Sequence, residues 1–153
     1  MEGLNPRVQF VWGVLVLVLA IVLGAVASAI LHFAVHAPAQ YGIGVGGIVL
    51  VLGAIHTVFR YRIWAFEVQD DALFLKRGVL TRIRTVVPYV RIQHVDTQRN
   101  PLERMVGLSS VVVYTAGSRG ADVTVPGLLP ERATELQQRL RSLVGERDTE
   151  DAV

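Results

Sequence analysis

The sequence predicts a membrane α-helical hairpin followed by a mainly-β barrel capped by a C-terminal helix. Three observations predict it. No Lys, Arg, Asp or Glu occurs between Arg7 and Arg60, and the block between them is almost wholly apolar. A short break, His36-Ala37-Pro38-Ala39-Gln40, divides that block. From Ile63 the apolar residues recur at alternate positions, and the last apolar segment returns to helical spacing. An uncharged apolar stretch of about 18 or more residues reads as a membrane span, and alternation reads as a half-buried strand.

The hairpin is assigned to residues 8–59, with spans over about 10–34 and 41–59. At about 1.5 Å per residue the first span exceeds a hydrocarbon core of about 30 Å, so it tilts or projects. Trp12 and Tyr41 mark interfaces, as do Phe59, Tyr61 and Trp64. Ala27-Ser28-Ala29 resembles a signal-peptide cleavage site, but the apolar run continues to Val35, far beyond a signal core of about 7–15 residues. Gly42, Gly46 and Gly53 form one small-residue stripe, and Ala20, Gly24 and Ala27 form another. Such stripes let helix backbones approach in lipid, so Gly24, Gly42, Gly46 and Gly53 are candidate helix-packing residues. The Gly42–Gly46 pair is also a candidate dimerisation face.

The polar domain is assigned to residues 61–145. Trp64, Phe66 and Val68 alternate with Ala65 and Glu67; Asp70-Asp71 turns the chain, and Leu73–Arg77 returns. Thr81–Val87 alternates again, with Arg82 and Arg84 on one face, until Pro88. Ile92–Thr97 is the next strand. Asn100 as N-cap, Pro101 at the first position and Glu103 three residues on predict a short capped helix that Gly107 ends. Ser110–Thr115 and Ala121–Val125 flank a Gly-containing loop. Pro130–Val144 places Ala133, Leu136, Leu140 and Leu143 on one helical stripe. The acidic residues 146–153 read as a disordered tail.

Charge is uneven although the formal net charge is only +2. Arg60, Arg62, Lys76, Arg77, Arg82, Arg84, Arg91, Arg99, Arg104 and Arg119 face only Glu67, Asp70, Asp71, Asp96 and Glu103 over the same stretch. A basic domain beside a membrane suits anionic headgroups or acidic partners. Arg60, Arg62, Arg82 and Arg84 are therefore the candidate contacts for a partner or lipid headgroup. The chain has no cysteine, which excludes disulfides and thiolate metal sites.

Three segments carry a family resemblance: Arg91-Ile92-Gln93-His94-Val95, Asn100-Pro101-Leu102-Glu103-Arg104-Met105-Val106-Gly107-Leu108, and Val123-Thr124-Val125-Pro126-Gly127-Leu128. Together with the hairpin they resemble the bacterial pleckstrin-homology-like, two-span membrane proteins of the YdbS type. Asn100 stands where that family often has Gly. The resemblance implies a seven-stranded PH-like barrel capped by a helix and no enzyme activity. It also implies work beside proteins carrying several copies of the same domain.

Chemistry is sparse in the residues themselves. His32 and His36 share a helical face, but His56 lies toward the other membrane side and no carboxylate completes a metal site. His94, Asp96 and Ser109 suggest a hydrolase triad only in composition, without an oxyanion element. Gly42–Gly47 lies in a span and lacks the features of a phosphate loop. The acidic turn Gln69-Asp70-Asp71-Ala72 argues against a phosphoinositide pocket of the eukaryotic type. The reading is a membrane-anchored, non-catalytic module that assembles with another membrane protein bearing PH-like domains, or with itself. Its alternative is anionic-lipid sensing by the arginine face. No catalytic residue, metal, cofactor, nucleic acid or small-molecule substrate is expected.

Basic residues flank the hairpin on one side only, at Arg7 and at Arg60 and Arg62, so both termini should be cytoplasmic and the loop external. Reporter fusions should be active for the cytoplasm at Val153 and for the exterior within Ala37–Gln40. An externally active reporter at Val153 reverses the assignment.

Overall fold

The computed structural model describes residues 1–34, 36–117 and 122–150, the side chains of 147–150 excepted. The chain divides into two compact units, Gln9–Arg60 and a second made of Met1–Val8 with Tyr61–Val153.

The first unit is the helical hairpin. Helix α1 spans Val8–Ala34 and α2 spans Gln40–Ile63. Both are long and apolar enough to cross a membrane. Their outer faces expose large side chains such as Ile21, Phe33, Ile43 and Leu52, a surface suited to acyl chains and not to water. The helices meet through small residues. A Cβ on Gly42 would lie 2.3 Å from Ser28 N and 2.5 Å from Ser28 Cα, so only glycine allows this approach. A Cβ on Gly46 would come within 3.0 Å of Ala20 O, and one on Gly24 within 3.2 Å of Gly42 O. Lipid provides no hydrophobic drive between helices, so close backbone packing has to hold them. Ser28 Oγ donates to Ala39 O at 2.9 Å and ties the loop to α1.

The second unit is the PH-like domain. Strands β1 (Glu2–Gly3), β2 (Ala65–Val68), β3 (Ala72–Arg77) and β4 (Ile83–Pro88) form an antiparallel sheet in that order. Strands β5 (Ile92–Gln98), β6 (Ser109–Thr115) and β7 (Val123–Leu128) form a second. Helix α3 (Pro101–Val106) joins β5 to β6, and α4 (Pro130–Glu150) follows β7. Phe66, Leu73 and Leu75 of the first sheet are buried, as are Val95, Val111, Val113 and Val125 of the second. Ala133, Leu136 and Leu140 of α4 are buried too, so the helix closes the core along its apolar stripe. Leu143 is only half-buried.

Local signals behave as the spacing predicts. Asn100 Oδ1 accepts from Glu103 N at 2.8 Å, Glu103 Oε2 accepts from Asn100 N at 3.1 Å, and Gly107 ends α3 in the left-handed region. Tyr89, in a 3-10 turn after β4, is buried and its hydroxyl donates to Gln69 O and Ala72 O. That pair of bonds ties the β2–β3 turn to the end of β4.

Four features differ from the sequence reading. The strands bond as a four-stranded and a three-stranded sheet, not as one closed barrel. Strand β1 lies ahead of the hairpin, in a segment of two residues too short for any period to reveal. Helix α2 continues through Ile63, so Trp64 alone separates it from β2. Helix α4 runs through Gly145 to Glu150, because polar helix formers carry the turn past an exposed glycine. Residues 151–153 of the expected tail, Ala121 of the expected last strand and Ser118–Gly120 of the loop before it lie outside the described residues.

Replacing Gly42 by Val should weaken the helix pair by about 1–3 kcal/mol, the usual cost of overpacking. The same change at Gly44, which has nothing within 4 Å of its Cβ position, should be neutral. Resistance of the hairpin to dissociation in a dodecyl sulfate titration reads the difference. Equal behaviour of the two variants contradicts the packing described.

Candidate functional site

The basic residues singled out from the sequence separate into different settings. Arg60 ends the hairpin unit, and its guanidinium lies over the Trp12 ring, 4.1 Å from the centroid. That cation–π stack joins the start of α1 to the end of α2 and engages Arg60 within the hairpin. Arg62 is exposed on the last turn of α2. Arg82 and Arg84 are exposed at and beside the β3–β4 turn. Arg84 pairs across the sheet with Lys76, and Ile83 with Arg77. Like charges directly opposite repel, so Lys76 and Arg84 make a cross-strand pair that costs stability in isolation.

The glycines lie inside the hairpin. Gly24, Gly42 and Gly46 face the other helix, and a Cβ on Gly53 would meet Val16 Cγ1 at 2.3 Å. The Gly42–Gly46 face is thus occupied by α1 of the same chain.

The residues that suggested catalysis do not converge. His94 Nε2 and Asp96 Oδ2 lie 2.9 Å apart on the exposed face of β5, and His94 pairs with Tyr114. Ser109 is 0% exposed and pairs with Leu128, at the opposite end of β6. Among the described residues no group of three or more His, Cys, Asp or Glu is placed to hold a metal.

What the domain does present is an uneven set of strand edges. Strand β1 lies along the outer side of β2, and the Met1 amine pairs with Glu67 at 3.5 Å. On β5, Val95 O accepts from Gln137 Nε2 at 2.8 Å and from Arg141 Nη2 at 3.2 Å, both from α4. On β7, Gly127 O accepts from Asn5 N at 2.9 Å. Among the described residues, β4 bonds only to β3. Ile83 and Val86 of this open edge are 45% and 50% exposed. An uncovered edge of six residues is a template for another strand.

One pair escaped sequence reasoning altogether. Arg132 Nε donates to Glu2 Oε1 at 2.8 Å, and Arg132 Nη1 lies 2.7 Å from Glu135 Oε2. The hydrogen bond from Arg132 holds the Glu2 carboxyl below the usual carboxylate range, and the bond to Glu2, with one to Glu135, raises Arg132. The pair lines a cleft of about 370 Å³ with Met1, Phe66, Glu67 and Arg139. Nothing in sequence links positions so far apart.

Because the folded Glu2 carboxyl is depressed, its stabilisation is present above the ordinary carboxylate value of 4.5 and is lost as pH falls through the lower folded value. Arg132→Met should cost under about 1 kcal/mol at neutral pH, since the two side chains are 32% and 41% exposed. That cost should vanish in acid. Hydrogen exchange at the Glu2–Gly3 and Ala65–Phe66 amides measures it, and a pH-independent difference contradicts the pairing.

The comparisons with known proteins agree with this architecture. A model of the bacterial PH domain family matches residues 8–144. The chain is 35% identical over 133 residues to the UPF0699 transmembrane protein YdbS of Bacillus subtilis (strain 168), covering 84% of this chain and 80% of that one. No solved structure gives a significant match. With two membrane-length helices, two antiparallel sheets and a closing helix, the chain belongs to the bacterial PH domain family as a YdbS-like membrane protein.

Proposed function

We propose that this protein is a membrane-anchored, non-catalytic adaptor that assembles with other membrane proteins through its PH-like domain at the cytoplasmic face. Its partner is a second PH-like domain, on another membrane protein or on another copy of this chain. The observation that carries the reading is the open edge of β4, a six-residue strand whose ladder among the described residues is to β3 alone. Strand addition there supplies backbone bonds for affinity, while the side chains of Ile83 and Val86 supply selectivity. Membrane tethering raises the effective concentration of such partners without any new contact. The Gly42–Gly46 stripe has no part in this assembly, since α1 occupies it.

The chain contains no cysteine, so a single Val86→Cys variant can be crosslinked specifically in native membranes. It should give a discrete adduct, and the protein should migrate above monomer size in mild detergent. Val86→Lys, a charge on an exposed edge position, should abolish the adduct formed by lysine- or photo-crosslinking elsewhere in the domain. A solitary monomer at native abundance defeats the assembly reading. Assembly that Val86→Lys leaves intact defeats the β4 edge as its site.

A further inference from the structure

The β3–β4 turn carries an apolar tip between basic residues. Leu80 at its tip is 96% exposed, with Arg82 and Arg84 exposed beside it. Its shape is built in: Gly78 has a φ of 95°, and a Cβ there would lie 2.0 Å from Thr81 O. A single exposed leucine is ordinary by itself, but a rigid tip that sets Leu80 beside two exposed arginines matches an apolar surface rimmed by negative charge.

The sheet register gives this tip an address. Lys76 pairs with Ala65 of β2, and Ala65 with Gly3 of β1. Ala65 follows directly on the end of α2, and the chain runs from Gly3 on to α1. The β3–β4 turn therefore shares the sheet end at which the chain leaves and rejoins the hairpin. The β2–β3 turn, at the other end, carries Asp70 and Asp71. The sheet is thus polarised along its strands, with a basic-apolar turn at the end joined to the hairpin and an acidic turn at the far end.

A second protrusion matches the first. Met105 on α3 is 80% exposed, beside exposed Arg104. Two residues on, a Cβ at Gly107 would lie 3.7 Å from Arg7 Nη1, and Arg7 immediately precedes α1. Among the described residues the ion pairs join Met1 with Glu67, Glu2 and Glu135 with Arg132, and His94 with Asp96. None engages Arg82, Arg84 or Arg104.

We infer that the PH-like domain docks on the anionic lipid surface of the membrane that anchors it, with Leu80 and Met105 seated among the headgroups and acyl boundary and Arg82, Arg84 and Arg104 paired with lipid phosphates. Exposed apolar residues combined with adjacent cations are what interfacial binding uses. Lipid phosphate would also offset the Lys76–Arg84 repulsion across the sheet. The contact is separate from the β4 edge and does not depend on a protein partner.

The full chain reconstituted in vesicles tests this with an environment-sensitive fluorophore on Leu80→Cys or Met105→Cys, and on Ser142→Cys as an exposed reference on α4. In phosphatidylglycerol-containing vesicles the labels at 80 and 105 should shift to the blue and resist acrylamide quenching, while that at 142 stays accessible. The shielding should weaken in pure phosphatidylcholine and at high salt. Arg82→Gln and Arg84→Gln should each lower the docked-to-undocked ratio about fivefold. Dilution to one chain per vesicle should leave the shielding unchanged, which separates this contact from assembly. Labels at 80 and 142 quenched alike overturn the inference. So does shielding that disappears on dilution, which marks a protein contact, or shielding indifferent to lipid charge.

Discussion

The pairing of Gly3 with Ala65 is the constraint on which the rest of the architecture depends. The whole hairpin lies between these residues in sequence, yet they are neighbours in one sheet. An antiparallel pair of membrane helices returns the chain to the side it left, so the segments before and after it are available to pair. The N-terminal segment uses that opportunity. It adds β1 to β2, sends Asn5 N to Gly127 O, and places Glu2 against Arg132 of α4. In sequence the hairpin is therefore an insertion within the PH-like domain.

That arrangement explains the distribution of exposed groups. Edges near the N-terminal segment and α4 are covered, because those elements were brought to them by the pairing. Strand β4 is the outer strand of the first sheet opposite β1, and among the described residues its ladder is to β3. The proposed partner strand would use its edge, and the proposed lipid contact its preceding turn. The two uses involve different atoms: backbone donors and acceptors along β4 for a strand, and the side chains of Leu80, Arg82 and Arg84 for lipid. A domain docked by its own tip, as proposed, would present the β4 edge in a narrower range of orientations, which would lower the entropic cost of meeting a similarly anchored partner.

The hairpin illustrates how close contact consumes a motif. Glycines at a spacing of four suggest dimerisation, but a glycine stripe serves whichever helix reaches it first. In this chain α1 is tethered by a loop of a few residues and carries the matching Ala20 and Gly24, so the intramolecular contact prevails. Arg60 behaves similarly: its position suggested a headgroup contact, and Trp12 holds it by a stack.

The sequence by itself determined the local elements. The charge-free block dictated two membrane-length helices, alternation dictated β2 and β4, the Asn100–Glu103 box dictated α3, and the spacing of Ala133, Leu136 and Leu140 dictated α4. Each of these is set by a short-range period or a cap that a few consecutive residues suffice to encode. Only the tertiary structure decided the division into two sheets, the recruitment of Glu2–Gly3 as a strand, the Glu2–Arg132 pair and the identity of the open edge. Those depend on which distant segments meet, and no local period carries that information. The same reason governs the proposed surface: Arg82 and Arg84 were legible as candidate contacts, but the exposure of Leu80 beside them and their shared sheet end with Gly3 and Ala65 came from the tertiary structure.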